Sequence, residues 1–405
     1  MKKVTFILAV LLLVIGLILV GCAQPSPSPT QPPAPPTTGA TPPTKPPPPT
    51  QTPPATQAPP TTQAPPPPPS TTAPPPPVKA VKLTFANWLP PMNPCTKVYE
   101  QWAKDFEAAT GGRYTVEVVS GGALASIPEA YDKVANGIVD IAMFVAQDVQ
   151  KPFPVINMSA LPWSHLPGQV YTEAWKKAIA PKGYMDKELT GVKLVIQYWG
   201  PGEDWFTMDP INKMSDMQGV KMLGGGGVKP DIAKALGAVW VFGGPPDAYE
   251  KLQKNIVRGV AISGLGLEEF HWSDYLKYLI DPLRMTGVIH NVVINKAAYD
   301  KLPADVKTIL DNMDKDGKYS MKAATDFEAL CAGTIDTWLK SGKGTLIKWS
   351  PEELAKLNAI IAPIWDAQIK SMNDQGAPAT QVINDFYNAL KGMGIATPAV
   401  GYTPK

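Results

Sequence analysis

Apolar and polar side chains alternate from Val81 to Asn87, the period of a strand with one buried face, and Trp88-Leu89-Pro90-Pro91 turns the chain out of it. Val98, Trp102, Phe106 and Ala109 then recur at helical spacing until Gly111-Gly112 stops them. Tyr114 to Ser120 reads as a second strand, Pro128 to Asn136 as a helix and Ile138 to Val145 as a third strand. Strand and helix in that alternation predict a parallel sheet covered by helices.

The alternation resumes further on. Val192 to Tyr198, Trp205 to Met208, Val220 to Leu223, Val239 to Phe242 and Val260 to Ser263 are strand-like, with helices predicted over Lys229 to Leu236 and Asp247 to Asn255. This second cluster predicts a second α/β lobe. From Val306 through Ile309, Met313, Ala324, Phe327 and Cys331 to Trp338 the apolar spacing stays loosely helical, long enough for one helix to cross both lobes. Ser350-Pro351-Glu352-Glu353 supplies a cap, a first-turn proline and a glutamate three residues on, the signature of a further helix start.

The N-terminal residues follow neither period. Lys2 and Lys3 precede an apolar run from Val4 to Val20, and Leu19-Val20-Gly21-Cys22 closes it with small residues before a cysteine. That is the form of a bacterial lipoprotein export signal over residues 1–21, with Cys22 as the lipidated first residue of the mature chain. Residues 22–78 are mostly Pro, Thr, Ala and Gln, with no large apolar side chains to bury, so they predict an extended tether. At about 3.1 Å per residue its Pro25 to Pro77 stretch reaches roughly 160 Å when fully extended. A mucin-like adhesive stalk has a similar composition.

Residues 79–405 form the head. All 35 acidic residues lie in it, with 34 of the 37 basic ones, so the head has no bulk field to attract nucleic acid. Arg113, Arg258 and Arg284 are the whole arginine complement, which leaves little capacity for forked pairing with a carboxylate or phosphate. Cys95 and Cys331 make at most one pair, not a disulfide framework, and sequence gives no distance between them.

Within the head, Phe85-Ala86-Asn87-Trp88, Gly111-Gly112-Arg113, Gly121-Gly122-Ala123-Leu124, Asn136-Gly137-Ile138-Val139-Asp140, Leu161-Pro162-Trp163, Met217-Gln218-Gly219-Val220-Lys221, Leu236-Gly237-Ala238 and Tyr249-Glu250-Lys251-Leu252-Gln253 stand in a familiar order and spacing. The head resembles a TRAP transporter solute-binding protein of the DctP type, and Ile294-Asn295-Lys296-Ala297-Ala298-Tyr299 with Leu302-Pro303 extends the likeness over nearly all of it. The resemblance implies a two-lobed, hinged α/β clam of the periplasmic-binding-protein kind, with a long helix spanning both lobes. It implies lobe I at about 79–200 plus about 287–320, and lobe II at about 203–286 plus the C-terminal helices. It also implies capture of a small organic solute by lobe closure and delivery to TRAP membrane permease subunits, on the extracytoplasmic face, with no catalysis.

The resemblance also implies an arginine after the Gly-x-Lys strand, where such proteins usually clamp a carboxylate, but here that residue is Leu223. Two further positions that carry arginine in the sialic acid binders are, by ungapped spacing, Asp148 and Glu203. A closed pocket with unpaired Asp148 or Glu203 would repel an acid, so a simple clamped carboxylate is not the expected ligand. Trp88, Trp199, Trp205 and Phe242 are candidate ring contacts, suited to a cation or to an uncharged ring or sugar. Gly224 to Gly227 permits close backbone approach, with Gly226 a candidate contact for a bulky ligand. A phosphate cradle there lacks the P-loop signature, because Lys229-Pro230 follows instead of Lys-Ser/Thr.

No cofactor is expected, and a metal is expected only if calcium or sodium bridges an acidic ligand to Asp148 or Glu203. Asn312-Met313-Asp314-Lys315-Asp316-Gly317 mimics the front of a calcium loop but has Ala323 at its twelfth position. His165, His271 and His290 have no paired metal spacing. Gly-x-Ser-x-Gly does not occur, and Glu268-Glu269 is adjacent instead of opposed, so an enzyme is not expected. The expectation is a lipid-anchored solute receptor on the outer face of the cell membrane, without nucleic acid partners. A metal-bridged carboxylate receptor and a ligand-sensing or adhesive surface lipoprotein are the alternatives.

Overall fold

A computed structural model describes residues 80–149 and 151–404. The signal at 1–21, the lipidation site Cys22 and the tether at 22–78 lie outside the described residues. In chain order the first half runs β1 (Val81–Ala86), α1 (Pro94–Ala109), β2 (Tyr114–Val119), α2 (Ala130–Ala135), β3 (Ile141–Val145), α3 (Gly168–Ala178) and β4 (Val192–Trp199). Then come β5 (Asp204–Thr207), β6 (Lys221–Gly224), α4 (Lys229–Ala235), β7 (Val239–Phe242), α5 (Pro245–Gln253), β8 (Gly259–Ile262), α6 (Gly266–Glu269) and β9 (Tyr278–Ile280). The chain ends with β10 (Ile289–Asn295), α7 (Lys296–Asp300), α8 (Ala304–Asn312), α9 (Lys318–Lys340), β11 (Thr345–Ile347), α10 (Pro351–Asp374) and α11 (Ala379–Gly392).

Two sheets make two lobes. The first has strand order β2-β1-β3-β10-β4 and the second β11-β9-β5-β8-β6-β7. In the first, β1 pairs in parallel with β2 and β3, as the alternation predicts. The fourth neighbour, β10, is antiparallel to both β3 and β4, because it returns from the second lobe. Its counterpart β5, the first strand after the outward crossing, is antiparallel to β8 and β9.

The outward crossing after β4 and the return before β10 lie side by side and form the hinge. Gly200 N–H donates to the Val288 carbonyl at 2.8 Å, and Glu203 N–H to the Thr286 carbonyl at 2.9 Å. Two short extended segments joined by such bonds can flex together while each sheet keeps its own pairing.

Local chemistry explains the helices. The Asn93 side chain accepts from Cys95 N–H and Pro94 sits in the first turn, so α1 starts where its capping needs are met. Its buried face of Val98, Tyr99, Trp102 and Phe106 packs on the first sheet. The long helix predicted from Val306 is broken at Gly317, whose φ of 84° is left-handed and marks the start of α9. Asp314 accepts from the Tyr319 and Ser320 amides at 2.8 and 2.9 Å, so the calcium-loop mimic caps a helix. Beyond that break α9 joins both cores: Ala323, Phe327 and Cys331 pack in the first lobe, Ile335 and Trp338 in the second.

The C-terminal helices divide between the lobes, against their assignment to the second. On α10, Gln368 bonds Asp231 of α4 at 2.8 Å. On α11, Phe386 packs among Trp163, Tyr171, Trp175 and Trp199 of the first lobe. The cap predicted at Ser350 is present, its side chain accepting from Glu353 N–H. Among the described residues Cys95 and Cys331 are buried and form no disulfide. Among the described residues no helix is long and apolar enough to cross a membrane.

Candidate functional site

The carboxyl ends of β1, β3, β6, β7 and β8 converge on a cleft of about 890 Å³ between the lobes. Ligands of open α/β sheets lie in such a position, where loops diverge and leave a crevice. The first lobe contributes Trp88, Gln147, Asp148, His290 and Phe327, and the second Gly225, Gly226, Lys229, Phe242 and Ser263. Pro201 and Glu203 enter from the hinge.

Of the eight expected contacts, Trp88, Asp148, Glu203, Gly226 and Phe242 line the cleft, and Trp199, Trp205 and Leu223 do not. These three are corrections with one cause: alternate side chains of a strand face opposite sides of its sheet, and each of these faces packed neighbours. Trp199 is fully buried, stacked on Tyr171 at 4.5 Å and Phe386 at 5.2 Å between ring centres. Trp205 is fully buried against Trp240, and Leu223 lies in the second lobe's core. Phe242, by contrast, stands 68 % exposed at the rim.

The cleft holds one cation that the sequence analysis did not place there. Lys229, weighed in the sequence only as the residue that spoils a P-loop, is fully buried and lines the cleft. Its Nζ lies 2.5 Å from Glu203 Oε1, and the Thr286 hydroxyl donates to Glu203 Oε2 at 3.4 Å. Burial pushes the Glu203 pKa up, Lys229 opposes that by favouring the charged form, and Asp148 adds to the rise. Burial also raises the Asp148 pKa, against the pull of Lys229 and of the Gly226 amide. A buried pair of this kind is weak evidence for stability, since desolvation offsets much of the attraction. Removing one partner is the costly change.

Asp148 Oδ1 accepts from Gly226 N–H at 3.1 Å, so a first-lobe carboxylate is bonded to second-lobe backbone. A Cβ on Gly226 would lie 2.2 Å from the Gln147 carbonyl oxygen. The close approach expected of the glycine run is therefore made by the protein's own Gln147-Asp148 loop, not by space left for a bulky ligand. Asp148 and Glu203 are engaged by Gly226 and Lys229, and among the described residues no group of three or more His, Cys, Asp or Glu is placed to hold a metal.

Aromatic rings make one wall. Trp88 stacks over His290 at 6.4 Å, His290 stacks on Tyr198 at 5.0 Å, and Phe327 meets His290 at 5.7 Å. Burial depresses the His290 pKa to about 3, so its ring is neutral at physiological pH. Among the described residues the buried Trp88 indole N–H has no hydrogen-bond partner. The arginines are used elsewhere: Arg258 forks onto Asp209, Arg284 pairs with buried Asp204, and Arg113 pairs with Asp305. Among the described residues none of them lines the cleft.

Sequence reasoning missed Lys229, His290, Phe327 and Ser263 as cleft residues. A lysine opening a helix after four glycines was the available signal for the first. The rotation of that helix, which decides where the ammonium points, was not.

A sequence model of the bacterial extracellular solute-binding proteins of family 7, DctP, matches residues 85–371. The chain belongs to that family. The likeness to TRAP solute-binding proteins and the two-lobed α/β expectation both hold, and this DctP-family receptor binds small solutes outside the cytoplasm. Among solved structures it is similar to a TRAP periplasmic solute-binding protein from Bordetella bronchiseptica with bound mandelate, at 22 % identity and TM-score 0.68, covering 77 % of this chain and 99 % of that one. A Rhodoferax ferrireducens TRAP solute-binding protein with copurified benzoate matches at 20 % identity and TM-score 0.68, covering 78 % and 99 %. A marine metagenome protein specific for aromatic acid ligands, with 3-hydroxybenzoate, matches at 22 % and 0.69, covering 77 % and 98 %. These likenesses show a shared fold.

Proposed function

We propose that this DctP-family protein is the lipid-anchored receptor of a TRAP-type transporter, closing on an uncharged or cationic ring-bearing solute and passing it to the membrane permease. The observation that carries the ligand class is the pairing of Lys229 with Glu203 at 2.5 Å. Among the described lining residues Lys229 is the fixed cation, and it already has a carboxylate, while Asp148 and Asp247 add two more acids. The wall of Trp88, His290 and Phe327 suits the ring half of a ligand such as the aromatic acids bound by the structural relatives, without the acid half. A metal bridge from Asp148 or Glu203 to an acid draws no support from groups already bonded within the protein.

Cys22 would carry the lipid and residues 22–78 would serve as the leash of a head made of the two sheet lobes. Radioactive fatty acid should label the wild-type protein and not Cys22→Ser; equal labelling of both would refute the anchor. The ligand class is tested by a thermal-shift panel at about pH 7.5 with phenethylamine, benzamide and benzoate, because ligand at about 100 times its dissociation constant adds about 2.7 kcal/mol to the native state. Stabilisation by the amine or the amide is expected, and stabilisation by benzoate alone would overturn the ligand class. Loss of solute uptake on deletion separates a transport receptor from a sensing or adhesive lipoprotein.

A further inference from the structure

We propose that Lys229 is a carboxylate-binding site that the chain fills with its own Glu203, so that Glu203 determines which solutes the cleft admits. The two residues come from different parts of the fold. Lys229 opens α4 in the second lobe, whereas Glu203 is carried on the hinge segment and reaches Lys229 across the cleft wall. The side chains are 0 % and 5 % exposed, so the contact is held away from water. Thr286 steadies the second carboxylate oxygen. An acidic solute would offer Lys229 the same two-oxygen group, but would have to displace one that is already seated.

The energetics make Glu203 a specificity element. A solute carboxylate that took Lys229 would strand Glu203 unpaired in a buried site beside Asp148, adding desolvation to repulsion. Neutralising Glu203 inverts the situation, since Lys229 would then be the stranded charge and an incoming carboxylate would relieve it. Glu203 is faced by Lys229 from α4, by Gln147 and Asp148 from the loop after β3, and by Thr286 from the returning hinge segment. Burial and Asp148 favour its protonated form, Lys229 and Gln147 its charged form, with burial the largest. Falling pH should therefore release Lys229 in the unaltered protein.

The inference rests on the uncharged-or-cationic ligand class proposed above, and benzoate titrations of the full-length protein test the two separately. Calorimetry on wild type, Glu203→Gln and the double variant Glu203→Gln/Lys229→Met is run at about pH 7.5, and wild type again at successively lower pH. Benzoate binding at least about tenfold tighter in Glu203→Gln than in wild type, lost in the double variant, is expected. Wild type should gain benzoate affinity at lower pH. If folded Glu203→Gln binds benzoate no better than a weakly binding wild type, the inference fails and the ligand class stands. If wild type itself binds benzoate tightly at about pH 7.5, and no more weakly than Glu203→Gln, both fail. Should Glu203→Gln not fold, absence of any rise in wild-type benzoate affinity across the whole acid range in which the protein stays folded overturns the inference by itself.

Discussion

Replacing Gly226 with alanine puts one methyl group where the lobes touch. The new Cβ would lie 2.2 Å from the Gln147 carbonyl oxygen, which is 1.2 Å short of the 3.4 Å at which ordinary contact begins. The obstacle is backbone and cannot rotate away, while Gly226 itself lies outside the left-handed region, so alanine brings no backbone strain of its own. Relief comes by parting the lobes at that point. A separation of that size stretches the Gly226 N–H to Asp148 bond from 3.1 Å past bonding distance and takes that bond from a half-buried carboxylate. Such a loss costs about 1–3 kcal/mol, all of it charged to the closed state. Solute affinity should then fall by roughly 5- to 150-fold, because a ligand that needs closure loses whatever closure loses. Calorimetry with the solute found by the panel measures the affinity, and small-angle scattering measures the gape. An unchanged dissociation constant with unchanged scattering would refute the claim that backbone contact at Gly226 shapes the closed cleft.

Gly333 serves as the contrasting position: it lies within α9 with nothing within 4 Å of a added Cβ, so Gly333→Ala should stabilise by about 0.5–1 kcal/mol in urea unfolding. Phe386→Ala removes a fully buried ring shared by Trp163, Tyr171, Trp175 and Trp199, and should cost about 3–5 kcal/mol in the same assay. A cost below about 1 kcal/mol would mean α11 does not seal that cluster. His290 is depressed from 6.5 to about 3 by burial, so the unfolded chain binds its proton first on acidification. Its contribution is whole above about pH 6.5 and is lost as pH falls toward about 3, by up to about 1.4 kcal/mol per pH unit. His290→Gln should flatten that part of the stability profile, and an unchanged slope would refute the neutral buried ring.

Elements with their own local signals were legible in the sequence. The strand at Val81, the helix of Val98, Trp102 and Phe106 and the run from Val220 through Lys229 to Phe242 carry alternation, helical spacing and glycine stops, and the structure places them within a few residues. The strand β10 was not read, because Ile289-His290-Asn291-Val292-Val293-Ile294-Asn295 is buried throughout and shows no alternation. Its polar members find partners only in three dimensions: the Gln197 amide donates to Asn291 Oδ1 at 2.7 Å across to β4. The same limit governed the site. Trp88 and Trp199 look alike in sequence, yet one ends a strand at the cleft and the other faces α3 and α11, since the side of a sheet depends on what packs there. Lys229 required the rotation of α4 about its axis, which its seven residues do not announce.

The 23 residues of α9 give a rod of about 35 Å rooted in both interiors, by Phe327 and Cys331 on one side and by Ile335 and Trp338 on the other. A rod without a break between its two anchorages forbids sliding of one half past the other and permits only a swing. Gentle curvature of a helix, at radii near 60–100 Å, lets a rod of that length turn through roughly 20–35° before an anchorage must come loose. The amplitude of the jaws, and with it the largest solute that can enter and leave without melting a core, is thus set by the stiffness of one element that touches the cleft only at Phe327.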